Sequence, residues 1–287
     1  MVLVTGAKGQ LGFDVVLELK RRKMEYLGIG RADLDITDGD AVNSYIKSLK
    51  PSSIIHCAAY TAVDKAEEEP DLCFLVNETG TENITKACRD VDAEMIYIST
   101  DYVFDGKGDF PYETDSPKAP LSVYGKSKLA GEEVVARYLD KHYIVRTSWV
   151  FGKNGNNFVK TIRKLAQTKN EINVVDDEIG SPTYTEDLAV FLCNLSLSGK
   201  YGVYHAANEG FCSWAEFAHE IIMIGGSECK VNPITSALYP TKAVRPRNSR
   251  LSKASLDKAG FGRLPNWQDT LKSSIPLHGD DKTNTYI

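Results

Sequence analysis

The sequence predicts an α/β protein built on a doubly wound parallel sheet, with a smaller C-terminal α/β part. Three observations carry this reading. Short β-branched runs alternate with longer stretches of helical period, as βαβ units with right-handed crossovers require. The first run ends in a glycine-rich turn, Thr5-Gly6-Ala7-Lys8-Gly9-Gln10-Leu11-Gly12. After Gly152 the alternation loosens, and Asn, Gly and Pro punctuate the chain. With 287 residues, 42% hydrophobic and 25% charged, there is enough apolar material to bury a core without staples. Collagen-like, disordered and membrane-spanning classes are excluded.

In chain order, strands are expected at 1–5, 26–30, 53–57, 94–99 and 143–149, with helices starting near Gly9, Gly39, Leu72 and Ser122. Further helical segments fall at 157–167, 186–195 and 214–224. Residues 1–150 thus read as one unit and 151–287 as mainly a second, with the chain returning to the first around 183–205. The polar, non-periodic residues 279–287 read as a flexible tail.

Thirty-four basic against 39 acidic residues give a net charge of −5, and no basic stripe stands out, so nucleic acid is not the expected partner. The first residues lack a basic segment, a long apolar core and a small-residue cleavage site, so neither secretion nor a membrane is expected. Six cysteines are scattered without a C-x-x-C pair or a nearby His at ligand spacing. Neither a metal site nor a disulfide framework is expected, and reduced thiols in the cytoplasm fit best.

Gly6, Gly9 and Gly12 close a strand and open a helix, where glycine permits a tight turn and lets a pyrophosphate approach amide donors at the helix N-terminus. The alternative is a glycine-rich connection without a ligand. After the second strand the chain reads Gly28-Ile29-Gly30-Arg31 instead of placing an acidic residue. Arg31 either pairs with a 2′-phosphate or is a solvated surface arginine, while Asp35 before Ile36 is within range of the adenine edge. Tyr124 and Lys128 stand four residues apart, on one helix face; a nearby ammonium favours the phenolate and suits Tyr124 to proton exchange with a sugar oxygen. Thr100, at the end of the fourth strand, either donates to the same oxygen or caps a turn.

Together with His56-Cys57-Ala58-Ala59-Tyr60, the string 99–106, Ala130-Gly131-Glu132, Arg146-Thr147-Ser148-Trp149, Gly180-Ser181-Pro182-Thr183 and Arg245-Pro246-Arg247-Asn248-Ser249, these motifs resemble, nearly end to end, the dTDP-4-dehydrorhamnose reductases among the extended short-chain dehydrogenase/reductases. The resemblance implies a Rossmann-type cofactor domain and a Thr100–Tyr124–Lys128 triad. It also implies contacts to NADPH, with NADH accepted too, from Gly6, Gly9, Gln10, Leu11, Gly12, Arg31, Asp35, Ile36, Ala58, Ala59, Tyr60 and Asn77 besides Tyr124 and Lys128. A dTDP-sugar would meet Thr100, Tyr102, Trp149, Asn157 and Arg247. Trp149 is alternatively a core tryptophan, and Arg247 a solvated loop arginine. Related dehydratases carry Thr-Asp-Glu where this chain has Thr100-Asp101-Tyr102, which weakens a dehydratase reading. Another 4-keto reductase, a 4-epimerase, and an NADP-binding regulatory subunit like the methionine adenosyltransferase β subunit remain alternatives, and a homodimer is left open.

Overall fold

The computed structural model describes residues 1–274; the expected tail at 279–287 lies outside the described residues. Six strands form the central sheet: β1 (Val2–Thr5), β2 (Tyr26–Ile29), β3 (Ser53–His56), β4 (Glu94–Thr100), β5 (His142–Thr147) and β6 (Gly202–His205). Every pairing is parallel, and the order is 2-1-3-4-5-6. This is a Rossmann-type sheet whose topological switch lies at β1, flanked by β2 on one side and β3 on the other.

The inner strands are buried on both faces, and period-two alternation sends neighbouring side chains to opposite layers. Val2, Val4, Ile55 and Val145 pack with Leu11, Val15 and Leu192 on one face. Leu3, Ile54, Met95 and Ile144 pack with Val42, Ile46 and Ile84 on the other. The first layer is built by α1 (Gln10–Arg21) and the second by α2 (Gly39–Leu49) and α3 (Thr81–Asp90). Helix α4 (Val123–Tyr138) starts at Ser122, whose hydroxyl accepts from the Gly125 amide at 3.1 Å.

After β5 the chain leaves the sheet for α5 (Phe158–Ala166), then returns: α6 (Thr185–Leu195) packs beside α1, and β6 pairs with β5. Arg22 of α1 donates to Asn194 Oδ1 at 2.8 Å, tying α1 to α6. The remaining part gathers α5, α7 (Trp214–Ile224) and α8 (Trp267–Ser274) over short strands, around Phe151, Ile162, Ile172, Phe217, Ile221, Trp267 and Leu271.

Two element boundaries depart from the sequence reading. The fifth strand ends at Thr147, because Trp149 adopts φ 48°, a left-handed backbone that no strand continues through. The helix expected from Leu72 begins at Pro70 and passes through a π-helical stretch, Leu75–Gly80, into α3. All six cysteines are free. Among the described residues no helix is long and apolar enough to cross a membrane.

Candidate active site

The carboxyl ends of β1, β2 and β3 open into a cavity of about 530 Å³. Gly6, at φ 65°, turns the chain out of β1 so tightly that a Cβ there would sit 2.7 Å from the Ala58 amide nitrogen. Gly12 serves the same turn from within α1: its Cβ would meet the Gly6 carbonyl oxygen at 2.3 Å. It brings the helix close and does not itself line the cavity. The α1 N-terminus is thereby left facing open space beside Gly6, Gly9, Ala58, Ala59 and Tyr60, the arrangement that a pyrophosphate requires. At the far end lie Lys8, Arg31, Asp35 and Ile36. Asp33 Oδ2 accepts from the Gly30 amide at 2.8 Å, closes the end of β2 and lies 3.8 Å from the Lys8 ammonium, with Arg31 beside them at the cavity mouth. Asp35 spends Oδ1 on the Thr37 amide and hydroxyl, which hold its carboxyl below the usual range. Two cations at this end of the cavity, with the Asp33 carboxylate held by the Gly30 amide and Lys8, fit NADPH.

A second cavity, of about 380 Å³, adjoins the first: Gly9, Cys57 and Ala59 line both. Its walls bring Thr100, Tyr124 and Lys128 together, with Gln10, Leu11, Asp101, Tyr102, Thr147, Ser148 and Trp149 around them. Two glycines of α4 explain the fit. A Cβ on Gly125 would lie 2.3 Å from the Tyr102 carbonyl oxygen, and one on Gly131 would lie 2.2 Å from the Tyr97 hydroxyl. The helix therefore presses onto the end of β4, and Tyr124 meets the Tyr102 ring edge-on at 5.6 Å between centroids. Trp149 is held in its left-handed conformation by stacking on Trp214, with centroids 3.6 Å apart and planes at 11°, against Gly180, where a Cβ would strike the indole. Its ring becomes a wall of the cleft.

The electrostatics correct one expectation. Burial pushes the Tyr124 phenol well above its ordinary pKa; the Asp101 carboxylate adds to the rise, and the Thr100 hydroxyl pulls it back. Lys128 does not offset this, since its own ammonium is desolvated and drops to about 7, against the pull of Glu132. It lies 4.0 Å from the centroid of the Tyr97 ring. Glu132, one turn further along α4, is clamped by Arg146 at 2.8 and 2.7 Å and by the Ser99 hydroxyl at 2.5 Å. Thr100 shows the turn-capping arrangement that its sequence position allows: its hydroxyl donates to Asp101 Oδ1 at 3.0 Å and accepts from the Tyr102 amide at 3.3 Å.

Three expected contacts stand apart from the cavities. Asn157 donates to Gln10 Oε1 and to the Gly152 carbonyl, both at 2.8 Å, while its Oδ1 caps α5; it braces Gln10 from behind. Asn77 is 1% exposed and holds the Ala58–Tyr60 loop, accepting from the Tyr60 amide at 2.8 Å and donating to its carbonyl at 3.0 Å. Arg247 leaves 70% of its side chain exposed and points to Asp177 at 3.6 Å. The cation turned inward is Arg245, two residues earlier. It donates to Asp64 Oδ2 at 2.9 Å, and its buried Nε has no partner among the described residues. Burial works against its charge, but Tyr102, Asp64 and Glu178 hold its pKa above the ordinary value. Sequence reasoning had also passed over Lys8 and Asp101, although both sit inside strings it had singled out. Among the described residues no group of three or more His, Cys, Asp or Glu is placed to hold a metal.

Known proteins share this architecture. The family model described as RmlD substrate binding domain matches residues 1–278. A dTDP-4-dehydrorhamnose reductase of Streptomyces griseus is 43% identical over 281 residues, 96% of this chain and 92% of that protein. The spore coat polysaccharide biosynthesis protein SpsK of Bacillus subtilis is 41% identical over 274 residues, 96% of each. The crystal structure of a Bacillus anthracis dTDP-4-dehydrorhamnose reductase in complex with NADP is 42% identical and superimposes with a TM-score of 0.93 over 95% of this chain and 97% of that one. Matched from end to end in sequence, fold and family model, the chain belongs to the dTDP-4-dehydrorhamnose reductase family.

Proposed function

We propose that this protein is an oxidoreductase that uses NADPH to reduce the C4 ketone of dTDP-4-dehydro-L-rhamnose to dTDP-L-rhamnose, the last step of dTDP-rhamnose synthesis. One observation carries the reading: Thr100, Tyr124 and Lys128 line a cavity that continues into the dinucleotide cavity at the β1 switch point. Residues 1–150, with α6 and β6, serve the cofactor, and most of the remainder serves the sugar nucleotide. The setting is the cytoplasm.

The bound cofactor supplies the reducing hydride. Tyr124, held protonated by burial, is in the form that gives a proton to the oxygen developing charge at C4. Lys128, on the same helix face, would stabilise the phenolate left behind and would hold the nicotinamide ribose. Thr100 orients the carbonyl opposite Tyr124, and Trp149 with Tyr102 shapes the slot that fixes one sugar face toward the cofactor. Arg245 offers its buried Nε–H to the diphosphate, and Arg31 with Lys8 takes the 2′-phosphate. The test is to incubate the protein with NADPH and a panel of dTDP- and UDP-linked 4-keto sugars and to identify the products. Conversion of the dTDP-4-keto-6-deoxy sugars supports the reading. Reduction of none of them, with retained NADPH binding, removes it.

A further inference from the structure

Asp101 stands directly behind Thr100 at the wall of the catalytic cavity and is only 2% exposed. One carboxyl oxygen, Oδ1, lies 3.0 Å from the Thr100 hydroxyl; the other, Oδ2, is buried with no hydrogen-bond partner among the described residues. A buried carboxylate oxygen left without a donor is costly, and a neutral carboxyl removes most of that cost. Burial opposes the ionised carboxyl, while the Ser249 and Thr100 hydroxyls and the Asp101 and Tyr102 backbone amides favour it. Ser249, on the strand Asn248–Ser249, approaches its carboxyl, Tyr102 follows it in the turn, and Tyr124 faces it from α4; Arg245 lies beyond Tyr102. Of these only Arg245 is a cation.

Hydroxyl valence makes this arrangement consequential. Thr100 has one proton and two lone pairs, and one lone pair already accepts from the Tyr102 amide. If Asp101 is ionised, the Thr100 proton is spent on Oδ1 and none remains for a carbonyl oxygen, which can only accept. If Asp101 is neutral, its own O–H donates to the second lone pair of Thr100, and the Thr100 proton turns into the cleft. We propose that Asp101 is a positioning residue that, as a neutral acid, aims the Thr100 hydroxyl at the substrate carbonyl, and that its ionisation turns that donor away.

The proposal rests on the 4-keto reductase reading and is tested with parent, Asp101→Asn and Asp101→Ala. The Asn amide keeps an N–H donor for Thr100 but cannot titrate; Ala keeps neither. Burial pushes the Asp101 carboxyl up to about 6, against the Ser249 and Thr100 hydroxyls. With NADPH and a dTDP-4-keto-6-deoxy sugar, kcat/KM of the parent should fall as pH rises through that region, and the fall should be absent in Asp101→Asn. At pH 5 to 6, or thereabouts, Asp101→Asn should retain activity within about threefold of the parent, whereas Asp101→Ala should lose about tenfold or more in kcat. Independently of turnover, the infrared difference between parent and Asp101→Asn should show the carbonyl stretch of a neutral carboxylic acid that disappears over the same pH range. If Asp101→Ala fails to take up NADPH, the parent and Asn proteins with the infrared signal still decide. An identical falling limb in Asp101→Asn, or the absence of a neutral carboxyl in the infrared, overturns the proposal. A parent that reduces no 4-keto sugar refutes the reductase reading instead, and the infrared signal still reports on Asp101.

Discussion

The Lys128 ammonium on α4 lies 4.0 Å from the centroid of the Tyr97 ring on β4, so this lysine rests on an aromatic face inside the sheet–helix layer. Burial brings its pKa from the usual 10.5 to about 7. Because the folded value lies below the unfolded one, the unfolded chain binds more protons between the two. The stability this lysine contributes is present above about 10.5 and lost as pH falls through about 7. Lys128→Met should therefore raise the melting temperature of the cofactor-free protein at pH 6 and lose that advantage toward pH 10, while weakening NADPH binding about tenfold or more. Scanning calorimetry at both pH values checks the sign; an equal loss at both would mean that the ammonium is solvated.

Tyr124→Phe should leave NADPH affinity nearly intact, because the ring and its edge contact with Tyr102 remain. Turnover should drop by about two to four orders of magnitude, the usual scale for losing a general acid. Steady-state kinetics beside cofactor fluorescence titration measure both quantities. Turnover within a factor of about two of the parent would remove Tyr124 from the chemistry.

At the cofactor's other end, Arg31 and Lys8 are the cations at the cavity mouth. Arg31→Ala should lower kcat/KM for NADPH about tenfold and leave NADH nearly unchanged, since only the former carries a 2′-phosphate. An unchanged ratio of the two cofactors would place the phosphate elsewhere.

Arg245 and Arg247 make a contrasting pair two residues apart. Arg245→Ala should raise KM for the sugar nucleotide about tenfold or more, as a charged, partly buried contact worth about 1.5–3 kcal/mol implies. Arg247→Ala, with its side chain 70% exposed, should change KM less than about threefold. The reverse order would return the diphosphate to Arg247.

Local geometry made the first half of this site readable. Gly6 is demanded by a positive φ and a contact with Ala58 that no side chain permits, and Tyr124 and Lys128 share a face because they are four residues apart. Spacing shows adjacency and not desolvation, so the shift of Lys128 and the elevated phenol of Tyr124 were beyond it. Which arginine of Arg245-Pro246-Arg247 turns inward depends on Asp64, 181 positions away, and on Asn248 and Ser249 pairing with Ile179 and Gly180. The break at Trp149 arises from stacking on Trp214, another contact remote in sequence. The motif around Thr100 was legible, but the buried carboxyl behind it was not, because burial is a property of the assembled turn.

The account turns on reduction of a ketone at the sugar's C4, with the hydride from the cofactor and the proton from Tyr124. The most direct measurement is the fate of label from NADPH deuterated at the transferable position of its nicotinamide, read by NMR and mass spectrometry of the product formed from dTDP-4-dehydro-L-rhamnose. One deuterium at C4 of dTDP-L-rhamnose, on a single face, with one NADPH consumed per product, is the predicted result. Label at another carbon, or product formed without label, would contradict it.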